Sequence, residues 1–282
     1  MDTLGEVTLS TITLFGREIS FNPTTFIMTW LVMGIILIGA YFGAKNLKRK
    51  PGKLQSIFEI IHEFLEEITI GTLGEKDGRK YLPFIITLFI FILLANWIGV
   101  LPNIFQFLGT LILGLHKLIG GNIDVVGEGL TASKMIVPDT AWYRFLFNVP
   151  LIEEPTRSVN TDLALAIFVF ILCLAYGLKN RGVYGFLKSL VVEPFPMEGF
   201  MIILFPANIF LNLIGLVANV VSHSFRLFGN IFGGGMIIVI VSSLLKFFLV
   251  PVALFAFFGL FAGLVQAFVF TMLAVSYLQQ NQ

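Results

Sequence analysis

Two long stretches almost free of charge fill the C-terminal third of this chain and limit what it can fold into. Between Gly199 and Leu245, 47 residues hold one Lys, Arg, Asp or Glu, which is Arg226; from Phe247 to Gln282, 36 residues hold none. A bilayer is crossed by about 20 apolar residues in a helix, so each stretch is more than long enough. Arg226 is the exception in its run, and a guanidinium cannot escape its charge by losing a proton. At membrane depth such a residue costs roughly 2.5–3.5 kcal/mol on insertion scales, which makes it a functional-site candidate.

Its neighbours add to the case. At helical period Asn208, Asn212, Gly215, Asn219, Ser222, Arg226, Gly229, Asn230 and Gly233 fall on one face, with Ile, Leu, Val and Phe around the rest. Small residues let another backbone approach closely, and the amides supply carbonyl oxygens and donors along the same line. An arginine so placed could also cap a neighbouring helix or pair with a structural carboxylate. In the last run Gly259, Gly263 and Gln266 share a face. The 47-residue run would reach about 70 Å as a helix, against a hydrocarbon core of about 30 Å. It must break, with Pro206 and Gly233–Gly235 as bend or close-packing points, or lie steeply inclined. Lys246 precedes a short turn and Pro251 suits the first turn of a new helix. A hairpin turning near Val250 would leave Arg226 and Gln266 eight residues out of register, about 12 Å along the axis.

Composition agrees. The chain is 57% hydrophobic and 12% charged, where a soluble domain carries about 25% charged residues. The expected fold is an all-α polytopic membrane protein, one domain over 1–282. Net charge is +1, which gives no reason to expect nucleic acid, and one cysteine, Cys173, excludes an intrachain disulfide. The first 20 residues lack a basic n-region and a continuous apolar core, so no cleavable signal peptide is expected.

Residues 24–44 are uncharged and form the first crossing. Lys45, Lys48, Arg49, Lys50 and Lys53 follow, the strongest basic cluster in the chain. By the positive-inside rule they lie in the cytoplasm and the N-terminus outside. Over 53–70 Leu54, Ile57, Phe58, Ile61, Phe64, Leu65 and Ile68 oppose Glu59, Glu63, Glu66 and Glu67, which reads as a cytoplasmic amphipathic helix. Its acidic face would be repelled by anionic lipid; it is either a docking face for a partner subunit or simply solvated. Residues 81–115 give a second crossing and, from Ile104, a 12-residue segment too short to span, read as a re-entrant or flanking hairpin segment. The 116–160 stretch reads as an external loop without basic excess or metal-ligand spacing. Residues 161–178 return inward, with Asp162 in the first turn, where a carboxylate suits the helix terminus. Lys179, Arg181 and Lys188 mark the cytoplasm again, and 199–248 and 251–279 are the two long tilted helices, giving about five crossings and a cytoplasmic C-terminus.

Arg-Leu-Phe-Gly-Asn at 226–230, followed by Leu-Val-Gln-Ala-Phe at 264–268, closely resembles subunit a of the rotary F-type ATP synthases. Pro-Gly-Lys-Leu-Gln at 51–55, Asn-Trp-Ile-Gly-Val-Leu-Pro at 96–102, Val-Asn-Thr-Asp-Leu-Ala-Leu-Ala at 159–166 and Glu-Pro-Phe at 193–195 match as well. The resemblance covers most of the chain apart from the N-terminal tail and the 116–158 loop. It implies a non-catalytic stator in the bacterial inner membrane, with nucleotide chemistry on other subunits. Its partners would be a ring of c subunits, each bearing a membrane-embedded carboxylate, and the peripheral-stalk b subunits. Two offset aqueous half-channels would lead ions to and from the ring. Arg226 matches the family's essential arginine, Gln266 the glutamine near it, and Asn230 and Ser222 polar positions on the same helix. Asn219, Asn212 and His223 complete the expected ion pathway, although His223, one residue off the stripe, also suits a packing role. Gly229, Gly233, Gly235, Gly259 and Gly263 are the expected close-packing positions. A fixed cation here would attract an empty ring carboxylate and favour its ionised form, while repelling a bound cation and blocking a leak.

No cofactor is implied beyond the translocated ion, Na⁺ or H⁺. Many proton-using members carry an acid or histidine nine residues after the arginine and another seven before the glutamine; here these are Gly235 and Gly259, and Asn212 stands where some place a glutamate. From 199 to 282 the only titratable side chains are His223, Arg226, Lys246 and Tyr277. Amide and hydroxyl oxygen remains, which suits a hard cation, so Na⁺ is the expected ion. The rival reading is a secondary transporter with a central substrate-binding arginine, which would want paired repeats with broken helices in both halves. A membrane enzyme would want a His, Asp, Glu or Ser constellation near one face. Neither pattern is present.

Overall fold

The computed structural model describes residues 10–14, 17–45, 52–101, 104–119, 125–127, 133–135, 154–192, 205–245 and 249–282. Five helices in these residues are long and apolar enough to cross a membrane: Pro23–Gly43, Gln55–Val100, Val159–Gly185, Ile209–Val241 and Ala253–Gln280. The chain is a polytopic helical membrane protein. Two short antiparallel hairpins add to the all-α expectation without entering the spans. They are β1 (Ser10–Leu14) with β2 (Arg17–Phe21), and β3 (Val125–Gly127) with β4 (Ser133–Met135). In the first, Ile12 faces Ile19 in alternating Thr/Ile sequence that suits a pleat.

Helix α1 (Pro23–Lys45) opens on Asn22, whose side-chain oxygen accepts the Thr24 N–H at 2.9 Å, with proline at the first helical position. Its Phe26, Trp30, Leu37 and Ile38 are exposed, as fits a hydrocarbon surrounding. Helix α2 (Lys53–Trp97) joins the amphipathic stretch expected at 53–70 to the crossing expected from 81. Inside its 45 residues the helical angles fail only at Gly74, with φ +77°, a conformation glycine adopts without a Cβ penalty. A short 3-10 turn at Ile98–Val100 leads to α3 (Ile104–Leu118), whose 15 residues are too few to span. The expected 116–160 loop is shorter at both ends, since α3 runs to Leu118 and the next helix begins at Val159; between them β3, β4 and a 3-10 turn at Pro155–Arg157 are described, while 120–124, 128–132 and 136–153 lie outside the described residues.

Helix α4 (Val159–Val192) is broken once, at Gly182 with φ +69°. Helix α5 covers Phe205–Leu245, α6 Leu249–Ala256, a π-helical segment Phe257–Ala262, and α7 Gly263–Gln280. The core is built by α2, α4 and α7. Ile85, Leu88, Phe89 and Ile92 meet Val169, Cys173 and Tyr176, and Ala267, Phe270, Ala274 and Leu278 from the third side. Each set repeats at three or four residues, one stripe per helix. Lipid tails are as apolar as leucine, so close packing and polar links hold such a core more than exclusion of water does. One such link is Tyr176, fully buried, whose hydroxyl donates to Asp77 Oδ2 at 3.1 Å.

Candidate functional site

Helix α5 runs unbroken for 41 residues, about 60 Å at 1.5 Å per residue. Pro206 falls in its first turn, where the missing N–H costs nothing, and Gly233–Gly235 do not interrupt it. Its apolar stretch Ile209–Val241 is 33 residues, about 50 Å against a hydrocarbon core of about 30 Å, so it crosses inclined.

The polar stripe divides between two faces. Ser222, Arg226 and Gly229 are exposed beside Phe225 and Phe232. Among the described residues the ion pairs are His62–Glu66 and Arg79–Glu75, both on α2, and no carboxylate pairs with Arg226. Asn212, Gly215, Asn219 and His223 instead turn inward, toward α4 and α7. His223 is 2% exposed and its ring lies 3.6 Å from that of Phe270 and 5.8 Å from that of Tyr277, centroid to centroid. The Asn208 side chain lies outside the described set.

The register of the last two helices differs from the sequence expectation. Asn230 Nδ2 donates to the Ala262 carbonyl at 3.2 Å. Asn230 is one turn after Arg226 and Ala262 one turn before Gln266, so in an antiparallel pair Arg226 stands level with Gln266. Gly234 against Phe258 gives the same register. Most of the eight-residue offset goes because α5 ends at Leu245 and α6 begins at Leu249, which centres the connection about three residues earlier than Val250. The two side chains still face different surroundings: Arg226 is exposed, while Gln266 is 6% exposed and its Nε2 has no hydrogen-bond partner among the described residues.

The π-helical segment anchors this register. A π turn spaces the backbone ladder unevenly and leaves carbonyl capacity for side chains to take. Trp97 Nε1 donates to Leu260 O and Asn96 Nδ2 to Gly263 O, both at 3.0 Å, beside the Asn230 bond to Ala262. Asn96 Oδ1 in turn accepts the Thr156 hydroxyl at 2.7 Å. Close packing follows the same seam. A Cβ on Gly259 would run into Val100, and one on Gly263 would lie 3.1 Å from Asn96 Cβ. At Gly229, Gly233 and Gly235, where close packing was expected, a Cβ would meet nothing within 4 Å among the described residues; the glycine of that run lying against another helix is Gly234.

A cavity of about 200 Å³ opens between α4, α5 and α7, room for several waters. Asn212, Asn219 and His223 line one wall, Tyr277, Gln280 and Asn281 a second, and Ala166, Val169, Cys173 and Arg181 the third. Both His223 nitrogens lack a partner among the described residues. Arg181 stands at the end where its Nη2 donates to the Gln280 carbonyl at 2.8 Å. Sequence reading missed Tyr277 and Gln280, although continuing the Gln266 face at helical period would have reached both. Among the described residues no group of three or more His, Cys, Asp or Glu could hold a metal ion.

Compared with known proteins, residues 26–279 match the family described as ATP synthase A chain. The chain is 30% identical over 269 residues to ATP synthase subunit a of Desulforamulus reducens, covering 93% of this chain and 80% of that one. It is 31% identical over 278 residues to ATP synthase subunit a 2 of Photobacterium profundum, covering 96% and 92%. With ATP synthase subunit a 2 of Vibrio campbellii identity is 32% over 263 residues, covering 91% and 87%.

Proposed function

The chain belongs to the ATP synthase A chain family, and from that premise we propose that Arg226 is the fixed charge of an ion-translocating stator. Members are the non-catalytic membrane-sector subunit of the complex, with catalysis on other subunits, and they work beside a c ring. In our reading a ring of carboxylates sweeps past the exposed face of Ser222, Arg226 and Gly229, and peripheral-stalk b subunits hold the chain against rotation. The observation that carries this is a permanent cation inside a membrane span, exposed and paired with no carboxylate among the described residues. Such a charge lacks the structural partner an ordinary buried arginine would need. It attracts an ionised ring site and repels a loaded one. Moving one charge through the membrane potential releases about 2.3 kcal/mol per 100 mV, and blocking the direct leak directs that energy into rotation.

The cavity beside α4 is proposed as the half-channel opening at the Arg181 end, which positive-inside logic assigns to the cytoplasm, in the inner membrane of a bacterium with the N-terminus outside. In this reading Gln266 stands level with the arginine and Asn230 one turn along the same helix. For the coupling ion we propose Na⁺, on the amides of Asn212 and Asn219 and the lack of acids along α5–α7. A proton has one observation in its favour, the unpartnered His223 facing the cavity. The secondary-transporter alternative draws no support from family membership.

The test is Arg226→Gln in the complete complex. ATP synthesis driven by an ion gradient should fall to background while ATP hydrolysis by the catalytic sector survives. Coupled synthesis at wild-type rate would overturn the stator reading. ATP-driven transport titrated with Na⁺ decides the ion: full coupling in Na⁺-depleted buffer across neutral pH rules for H⁺.

A further inference from the structure

Asp162 stands out among the buried groups that the proposed mechanism does not use. Its side chain is 0% exposed, and neither carboxylate oxygen has a hydrogen-bond partner among the described residues. Position explains neither fact. The first turn of α4 suits a carboxylate that bonds free backbone N–H groups, and Asp162 bonds none; its own N–H donates to Ser158 O at 3.2 Å. A buried acid with no partner inside a membrane span points to a ligand.

Its neighbours on the helix say where that ligand comes from. Asp162, Ala166, Val169 and Cys173 fall at spacings of four, three and four on the buried face of α4, and the last three line the cavity beside His223. Asp162 does not line the cavity; it lies one turn beyond Ala166 on the same face of α4, past the end away from Arg181.

We propose that Asp162 is a cation-accepting site on the access path opposite the Arg181 mouth, taking the coupling ion before it is handed to the ring. This rests on the stator reading above and adds a residue to it. A carboxylate is a hard oxygen ligand that suits H⁺ or Na⁺ rather than a soft metal, so the site takes whichever ion the complex uses.

The experiment compares wild type, Asp162→Asn and Asp162→Glu in the complete complex reconstituted into liposomes. ATP synthesis is titrated from the ion-entry side with Na⁺ at fixed pH and with pH at fixed Na⁺. For Asn the half-saturating concentration of one ion should rise tenfold or more; for Glu it should stay within threefold of wild type. The arm that shifts identifies the ion. Unchanged half-saturation in both arms overturns the proposal, as does a loss of maximal rate alone, which marks a structural role. Should the Asn variant fail to assemble, wild type decides: a hydrophobic carbodiimide should modify Asp162, read by mass spectrometry of this subunit, and the coupling ion should protect it. Modification without protection, or none, overturns the proposal. A wild-type complex that couples no ion gradient would fail the stator reading itself, a result distinct from either.

Discussion

Two glycine stripes in this chain look alike in sequence and end in opposite places. On the last helix, Gly259 and Gly263 lie against Val100 and Asn96, with no room for a side chain at Gly259. On α5, a Cβ at Gly229, Gly233 or Gly235 would meet nothing within 4 Å among the described residues. The first stripe is spent on this chain's own packing. The second leaves a shallow surface around Arg226, and under the stator reading the ring fills it. Small residues permit close approach without saying whose backbone approaches.

The largest effect should come from filling the first stripe. Gly259→Leu sets a branched side chain into space that Val100 occupies. Overpacking a tight site costs about 1–3 kcal/mol, sometimes more, and this seam also carries the bonds from Trp97 and Asn96 to the last helix. The variant should be missing from purified complex, and Val100→Ala in the same chain should restore part of it. Normal incorporation of Gly259→Leu alone would show the seam to be loose.

Gly229→Leu should do the reverse. In a helix leucine is favoured over glycine by about 0.8 kcal/mol, and a Cβ at Gly229 meets nothing within 4 Å among the described residues, so assembly and melting should hold. Coupled ATP synthesis should fall tenfold or more, because the new side chain stands one turn from Arg226 on the face assigned to the ring. Gly39→Leu on α1, also open on all sides, is the control and should be silent in both measurements. Silence from Gly229→Leu would mean the α5 stripe faces lipid.

Much of this was legible in the sequence, and the limit is physical. Charge-free length gives the spans, and one isolated arginine gives the centre of the site. Helical period finds a stripe on α5 but treats every turn as 3.6 residues. It therefore misses the π-helical segment, where Phe-Phe-Gly-Leu-Phe-Ala offers no polar mark. It also places one broad face where the structure has two, with Arg226 exposed and His223 buried three residues away. The level of Arg226 against Gln266 depends on where a turn closes, and Lys246 and Pro251 fix that only to within a turn. Sequence position explains Asp162 only as a helix-start carboxylate, whereas in the structure neither of its oxygens has a hydrogen-bond partner among the described residues.

Asn96→Ala probes the filled seam more gently. The asparagine is 3% exposed and joins the Thr156 hydroxyl to the Gly263 carbonyl. Removing it takes the acceptor from the buried Thr156 hydroxyl, and a buried group left without a partner costs about 1–3 kcal/mol. The thermal midpoint of the complex should fall clearly, with incorporation reduced but present.

Asn230→Ala tests the one residue that belongs to both stripes. It lies one residue after Gly229 on α5, yet its amide reaches across to Ala262, three residues after Gly259. The bond is to a neutral carbonyl at 3.2 Å and the side chain is half-buried, so its loss should cost only about 1 kcal/mol. Melting should therefore move less than for Asn96→Ala. Coupling is where the two accounts part. If the bond holds Arg226 level with Gln266, the coupled rate should drop severalfold at nearly unchanged stability, and Asn230→Gln should not restore it, since one extra methylene moves the amide off the carbonyl. If rate and stability fall together and in proportion, Asn230 belongs with Gly259 and Gly263, and the open stripe begins at Arg226 alone.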